Sequence, residues 1–439
     1  MKLIVDENLL SFKVLEQKIF DYVCELGRQI TQQILEAYDT ELAESRDKKH
    51  YRGKGKRKTC IKTVYGEVEY KRAVYRTKTE QGENAYVYLL DEAMQMDKIG
   101  LISTNLAEKI AMTVTESPYR VTAETISNTC GQSISSGGVW NMMQRLGERL
   151  DEEEQYAVKE MDGIWLHMQD SSHKRMKKQE MKVFTMYEGW DKDQQRRSTL
   201  VGKTMLAGME TSRLFHEKRE ALIEKKYDVD EIQQRILNGD GGSWIKETYD
   251  PDAIFQLDRY HVYQEILRKI SDRNAQREAR NLFEEGKTEK LLEFLLVYAD
   301  SVETTDEKDK RSRNARELYR YLNNNKVGLL PYQKQGKKIP EPGEGIVYKN
   351  MGVQESQNCT VITMRMKHRR MRWSIKGASN MAKVLCCKEN KELCHTIEKY
   401  TDGLIFNARM NEIMETLSAA KTSKKDGKGN RYVELMRGH

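Results

Sequence analysis

The stretch QRILNGDGGSWIKETYDPDAIFQLDRYHVYQ, Gln234 to Gln264, decides how the rest of the chain is read. A short apolar run ends in Asn238-Gly239-Asp240-Gly241-Gly242, and a second, Ala253 to Leu257, ends in Asp258-Arg259-Tyr260-His261. Short apolar runs bounded by Gly, Asn and Asp read as strands, so two strands each finish on an acid. Carboxylates gathered at strand ends are what a two-metal phosphoryl-transfer site requires, because hard cations take oxygen ligands. The same residues also suit two ordinary surface turns, in which Asn, Asp and Gly are common. No Gly-Lys-Ser/Thr follows the glycines, which argues against a phosphate-cradling loop and a nucleotide hydrolase.

Upstream, Gly163 to Asp170 (GIWLHMQD) is a further apolar run that closes on an acid. Lys182 to Gly189 pairs plausibly with it, Ser198 to Met209 supplies a third strand, and Ser212 to Lys226 reads as helix. Strand, strand, strand, helix, strand, with an acid closing the first and fourth strands, predicts an α/β, ribonuclease-H-like catalytic domain. Downstream, His261 to about Asn325 is charged and apolar by turns with no strand pattern. It is too long for a loop and predicts an all-helical insertion. Pro331 to Pro342 forms a linker, Gly345 to Val353 is strand-like, and Glu355 opens another helix. Asp170, Asp240 and Glu355 thus form a candidate trio of metal-binding carboxylates. One ion would activate the attacking water or hydroxyl and the other would stabilise the leaving 3′ oxygen.

The first 150 residues read differently. Helical spacing of apolar residues predicts an amphipathic helix over residues 7–45, suited to packing on a partner subunit or on the chain's own core. Thr59 to Arg76, alternating β-branched and aromatic residues around Tyr65-Gly66, predicts a β-hairpin. Residues 122–129, a turn at Cys130-Gly131-Gln132 and a second helix from about Ser133 have helix-turn-helix form, with Ile134, Val139, Met142 and Met143 facing inward. In that form Ser133, Ser135 and Ser136 would meet DNA. The Gly137-Gly138 pair is a departure, since glycine weakens a helix interior.

The 439 residues support two or three domains. The expected division is an N-terminal helix (1–45), a basic hairpin region (46–96), a helix-turn-helix domain (97–150) and a first core segment (155–260). A helical insertion and linker (261–342), a second core segment (343–400) and a C-terminal helix with a basic tail (401–439) follow. The formal charge of +7 is modest against 33% charged residues, so its distribution matters more. One basic run spans Arg46 to Lys58, with Lys54, Lys56, Arg57 and Lys58 as DNA-binding candidates. A second contributes Arg365, Lys367, Arg369, Arg370 and Arg372. A solvated face is the plain alternative for either run. No window suits a membrane span, and the start lacks a signal-peptide pattern. The 7 scattered cysteines favour a reducing cytoplasm. Cys386, Cys387, Cys394 and His395 lack the paired Cys-x-x-Cys spacing of zinc sites.

Several of these segments, IWLHMQDSSHK, LNGDGGSWIK, LDRYHVYQEI and ESQNCTVITMRMKHRRMRWSIKGASNMAKVL, resemble bacterial insertion-sequence transposases of the ISLre type. That group, long held as an uncharacterised protein family, is related to Mutator-type DDE enzymes. TVYGEVEYKRAVYR and SPYRVTAETISNTCGQSIS resemble its amino-terminal half, so the resemblance spans roughly residues 50–390. It implies Asp170 and Asp240 as the paired aspartates and Glu355 as the glutamate, holding two Mg²⁺ (or Mn²⁺) ions. It also implies Asp258 and His261 in a supporting place beside them. Double-stranded DNA, as terminal inverted repeats and target, is the implied partner, with a homodimer or higher oligomer on DNA and a nucleoid-associated, cytoplasmic location. Gln169, Ser171 and Ser172 around the first aspartate, and Asn358-Cys359 after the glutamate, depart from the family pattern. A transposase-derived DNA-binding protein without chemistry is therefore the second reading, and a cellular nuclease of the same fold the third.

Overall fold

The hairpin loop Val64-Tyr65 joins β1 (Arg52–Thr63) to β2 (Gly66–Lys78), paired antiparallel from Thr63↔Gly66 out to Arg52↔Arg76. This computed structural model describes residues 11–79, 82–94, 101–153, 161–170, 172, 174–193, 199–229, 232–246, 253–306, 309–367 and 371–401. Along β2 the side chains alternate, with Val68 and Tyr70 inside and Glu67 and Glu69 outside, the period of 2 that a sheet with one wet face imposes. β3 (Asn84–Val87) completes the sheet. The 34-residue helix α1 (Phe12–Ser45) lays Leu35 onto Ile61, Val68, Tyr70 and Leu90, the last from α2 (Leu89–Ala93). Burying an apolar side chain of this size is worth about 1.5–3 kcal/mol.

A break in the β1/β2 register between Gly53 and Lys56 leaves the backbone N–H of Ala73 facing α1. Asp39, 1% exposed, accepts from it through Oδ1 and Oδ2 at 2.9 and 3.1 Å, and Lys56 stands 3.3 Å from Oδ2. The basic run is therefore largely part of the hairpin, not a segment before it.

Next come α3 (Thr104–Glu116), α4 (Tyr119–Thr129) and α5 (Ser136–Glu153). Ile134, Val139, Met142 and Met143 are buried as the sequence predicts. The second helix starts at Ser136, not near Ser133, because Ser135 caps it by accepting the Gly138 N–H at 3.1 Å. Gly131, in the α4–α5 turn, donates its N–H to Val64 O at 2.8 Å. An added Cβ there would lie 2.5 Å from Tyr65 O and 2.7 Å from Cys24 Sγ, so the turn needs glycine for close approach.

The chain divides into two compact units, one containing residues up to Arg149 and the other Leu150–Lys391. Helix α15 (Leu393–Thr401) packs on α3 within the first unit, so the C-terminal return to that unit comes earlier than the expected boundary at residue 400.

The second unit is mixed α/β. β4 (Met161–Leu166), β5 (Gln179–Met186) and β8 (Thr204–Gly208) form an antiparallel sheet in the order β4-β5-β8. Helix α6 (Ser212–Lys226) follows, capped by Thr211 Oγ1. Then β9 (Ile236–Gly239) lies against β4, and β10 (Ile254–Leu257) pairs parallel with β9. Phe215 and Ile223 of α6 meet Phe184, Met186, Leu206 and Leu237 in one core. A short antiparallel sheet, β11-β6-β7, joins Ile346–Val347 to Gly189–Asp191 and Leu200–Val201.

The long segment after β10 is all-helical as expected: α8 (Arg259–Lys269), α9 (Arg273–Glu284), α10 (Thr288–Ser301) and α11 (Arg311–Asn324) share one apolar core. A short helix, α7 (Ser243–Lys246), precedes β10. The last part runs as α12 (Gln354–Gln357), a π-helical turn (Asn358–Thr363), α13 (Met364–Met366) and α14 (Ile375–Glu389). Packing of α14 on β8 is pinned by Asn390, whose side chain accepts from Met205 N at 2.8 Å and donates to Met205 O at 3.1 Å. The basic tail expected after residue 420 lies outside the described residues.

Candidate functional site

Asp240 stands one residue past the end of β9. Its Oδ1 accepts the Gly242 N–H at 2.8 Å, and its carbonyl accepts from the Tyr321 hydroxyl at 2.8 Å, which ties the turn to α11 of the helical insertion. Gly241 sits at φ +85°, and a Cβ there would lie 2.5 Å from Asn325 Oδ1, so both backbone angle and space demand glycine. Glu180, opposite Trp165 at the start of β5, is held above the usual carboxylate range by burial. The Asp240 charge adds to that shift, while Lys182 and a hydrogen bond with Trp244 oppose it. Sequence reading missed Glu180, because one acid among the lysines of KKQEMK carries no mark of its own.

Asp258 has a structural role. It caps α8 by accepting the His261 N–H at 3.2 Å and stands 3.3 Å from His261 Nδ1, while Asn238 Nδ2 donates to its other oxygen at 2.9 Å. Gln256 donates to Asn238 Oδ1 at 3.2 Å and accepts from Tyr332 N at 2.9 Å, which continues a buried polar chain. Burial alone would raise the Asp258 pKa, but hydrogen bonds from His261 and Asn238 outweigh it and hold the carboxyl below its ordinary value. The stabilisation is therefore fully present above the unfolded pKa near 4 and is lost as pH falls through the depressed folded value. Asp258→Ala is expected to cost about 2–4 kcal/mol, combining a lost cap with an orphaned buried amide. Urea unfolding at neutral pH measures this, and the difference from wild type should shrink on acidification below about pH 4.

Asp170 lies beyond β4, which ends at Leu166, and directly after two isolated bridges, Met168 to Trp373 and Gln169 to Arg175. Its Oδ1 accepts the N–H groups of Ser172 and Lys174, both at 2.9 Å, closing a tight turn. Glu355 is exposed on α12, which packs against β4 and β5. Beneath it the buried Gln354 donates to Asn358 Oδ1 at 2.8 Å, at the start of the π-helical turn. Such turns often occur where a helix must re-aim side chains at a site.

β4 is thus the strand at which the site elements meet, with β5 and β9 beside it and α12 packed on it. Asp162 occupies the second position of β4, opposite Val183. The apolar runs used to find strand ends begin after it, so it was passed over. The expected trio is not gathered into an ion's donor set. Among the described residues no three His, Cys, Asp or Glu side chains are grouped closely enough to hold a metal ion. For the same reason no zinc group appears among them: Cys386 and Cys387 are buried in α14, while Cys394 and His395 are exposed on α15.

The proposed DNA contacts divide. Arg365 is a correction: it is 5% exposed, with its guanidinium over the Trp373 ring at 5.5 Å and Nη1 3.5 Å from Met371 Sδ, so it braces the core. Lys367 and Arg372 are exposed, and Arg369 and Arg370 lie outside the described residues. Lys54, Lys56, Arg57 and Lys58 are all exposed along β1, with Lys58 paired to Glu69 at 2.5 Å. Ser133, Ser135 and Ser136 are exposed at the start of α5, as is Trp140, 44% exposed, which sequence reading did not single out. Among the described residues no helix is long and apolar enough to cross a membrane.

Residues 5–399 match the model of an uncharacterised protein family, UPF0236, and the chain belongs to that family. Its relatives include UPF0236 proteins of Caldanaerobacter subterraneus subsp. tengcongensis. One is 24% identical over 435 residues, covering 95% of this chain and 87% of the relative, and its name joins eleven locus designations. A second is 24% identical over 427 residues, covering 92% of this chain and 86% of its own length.

Proposed function

We propose that this protein is the transposase of a bacterial insertion sequence, cutting DNA at the element's ends and joining the freed 3′-OH to target DNA. The observation that carries the reading is the meeting at β4 of the elements that bear Asp240 and Glu355. Three antiparallel strands, a helix, then two parallel strands with the first against β4 is the arrangement a ribonuclease-H-like core would have. One relative with eleven locus designations in one strain is also what repeated insertion of a mobile element would leave behind.

In this reading Asp240 acts on the scissile phosphate from a turn fixed by Gly242 and Tyr321, and Glu355 approaches from α12. The requirement for Mg²⁺ or Mn²⁺ rests on the resemblance to DDE enzymes, and no step is assigned to an ion on the present geometry. The exposed edge of β1 and the start of α5 would hold duplex DNA, and a dimer would hold two ends. Incubation of the full chain with labelled element ends and Mg²⁺ tests the reading. Nicking at the ends and joined products are expected, both abolished by chelation; intact ends under all conditions would reject it.

A DNA-binding protein without chemistry is the second reading, favoured by the ungathered acids. It predicts binding without nicking, and a nuclease of the same fold predicts nicking without joining. Under the first two readings, reversing Lys54 and Arg57 to Glu should weaken duplex binding at least tenfold at low salt. It should also reduce the slope of log affinity against log salt by about 1 per lost phosphate contact. Titration by fluorescence anisotropy across a salt series checks this, and an unchanged slope would remove the hairpin from the interface.

A further inference from the structure

One cavity lies at the end of β9 opposite to Asp240. It has a volume of about 320 Å³ and borders the start of β9 at Ile236, whereas Asp240 follows the other end of that strand. Four residues of strand span about 13 Å, roughly the rise of four stacked nucleotides. Five aromatic side chains, Tyr187, Trp190, Tyr227, Tyr332 and Tyr348, line it together with Met, Ile and Pro residues. Trp190 and Tyr332 are buried, at 3% and 2% exposed, while Tyr348 keeps 37% of its surface open. Tyr187 and Trp190 already form an edge-to-face pair at 5.1 Å. Its polar lining comprises Glu188, Gln233, Gln234 and Arg235. Glu188 accepts from the Tyr227 hydroxyl at 2.9 Å, and Gln233 lines the same wall.

The second observation is charge. The chain segments that supply the lining carry exposed lysines next to lining residues in sequence. Lys334 follows Tyr332 by two residues, Lys338 precedes Ile339, and Lys349 follows Tyr348 and accepts the Tyr332 hydroxyl on its carbonyl at 3.0 Å. Glu341 and Glu344 are the acids of the same segment, and Glu341 faces Tyr348. Aromatic faces bordered by cations are the recurring means of holding single-stranded nucleic acid, with bases stacked and phosphates neutralised. The cavity is of a size that suits a small ring system, and a carboxylate with an amide in its lining can accept from and donate to a base edge.

We propose that this cavity receives one unpaired nucleobase of a DNA strand, stacked on Tyr348 and neighbouring aromatic faces. The proposal rests on the reading of the chain as a DNA-processing protein and adds a base-binding site at the other end of β9 from Asp240. A base leaves the duplex stack most readily at an end or a mismatch, so the ligand is a frayed or single-stranded terminus.

The test uses the full-length protein and oligonucleotides with 2-aminopurine at a single-stranded overhang or within a closed duplex. Saturable quenching of the overhang probe is expected, with little change for the closed duplex. Tyr348→Ala should weaken overhang binding about tenfold, and Tyr348→Phe should restore it, while both variants bind closed duplex like wild type. Absence of quenching in the wild type, or equal quenching in Tyr348→Ala, would overturn the proposal. End cleavage is scored in parallel: loss of cleavage with quenching retained counts against the transposase reading, whereas cleavage without quenching counts against the base site alone.

Discussion

Asp240→Ala is expected to reduce cleavage of element-end DNA by about 10³-fold or more, a scale typical for removing a group that stabilises a transition state. Duplex binding should stay within about twofold, because the proposed DNA-holding surfaces lie on β1 and α5. Glu355→Ala should behave alike, since α12 packs against β4. Asp170→Ala is the informative comparison. Its carboxylate caps the turn to Ser172 and Lys174, so the variant tests whether a turn acid also serves chemistry. Asp162→Ala probes the acid within β4. If Asp162→Ala abolishes cleavage and Asp170→Ala spares it, the strand acid replaces Asp170 in the proposed trio. Cleavage at wild-type rate in both Asp240→Ala and Glu355→Ala would reject the catalytic reading entirely.

Gly131→Val is expected to destabilise the first unit by about 3 kcal/mol, the upper end of the usual cost of overpacking. The added atoms would meet Tyr65 O and Cys24 Sγ, and backbone and a buried thiol have little room to yield. The hairpin loop, α1 and the α4–α5 turn would separate together, because the Gly131 N–H bonds Val64 O and Cys24 of α1 sits against Gly131. A thermal scan of residues 1–439 should show the transition of the first unit shifted down while a second transition stays in place. DNA affinity should fall in parallel if the hairpin and α5 form the interface. A variant with unchanged stability would mean that the turn relaxes at little cost.

Much of the organisation was legible in the residues. Gly66 in a run of alternating residues located the hairpin, because strand periodicity and turn chemistry are local. Helix α6 was bounded as expected at Ser212–Lys226, where Thr211 supplies a cap. The helical insertion was legible from its length and lack of strand pattern. The limits of the reading were equally physical. Asp170 ends an apolar run in sequence, but β4 stops earlier and the aspartate turns its oxygen to backbone amides. Arg365 sits in a basic run, yet charge along a sequence says nothing of which side faces Trp373. Asp258 looked like the twin of Asp240, and only the partners Asn238 and His261 separate a helix cap from a turn acid.

The sequence by itself determined the elements: strands ending near Asp240 and Asp258, the hairpin at Tyr65-Gly66, and a helical stretch after β10. Those follow from periodicity and from turn and cap residues, which act over a few neighbours. Tertiary structure alone decided which acids share surroundings. It set Glu180 within reach of the Asp240 charge, tied the Asp240 turn to Tyr321 of the insertion and brought α12 onto β4. Such encounters depend on how strands and helices pack across many intervening residues, and no local pattern encodes them.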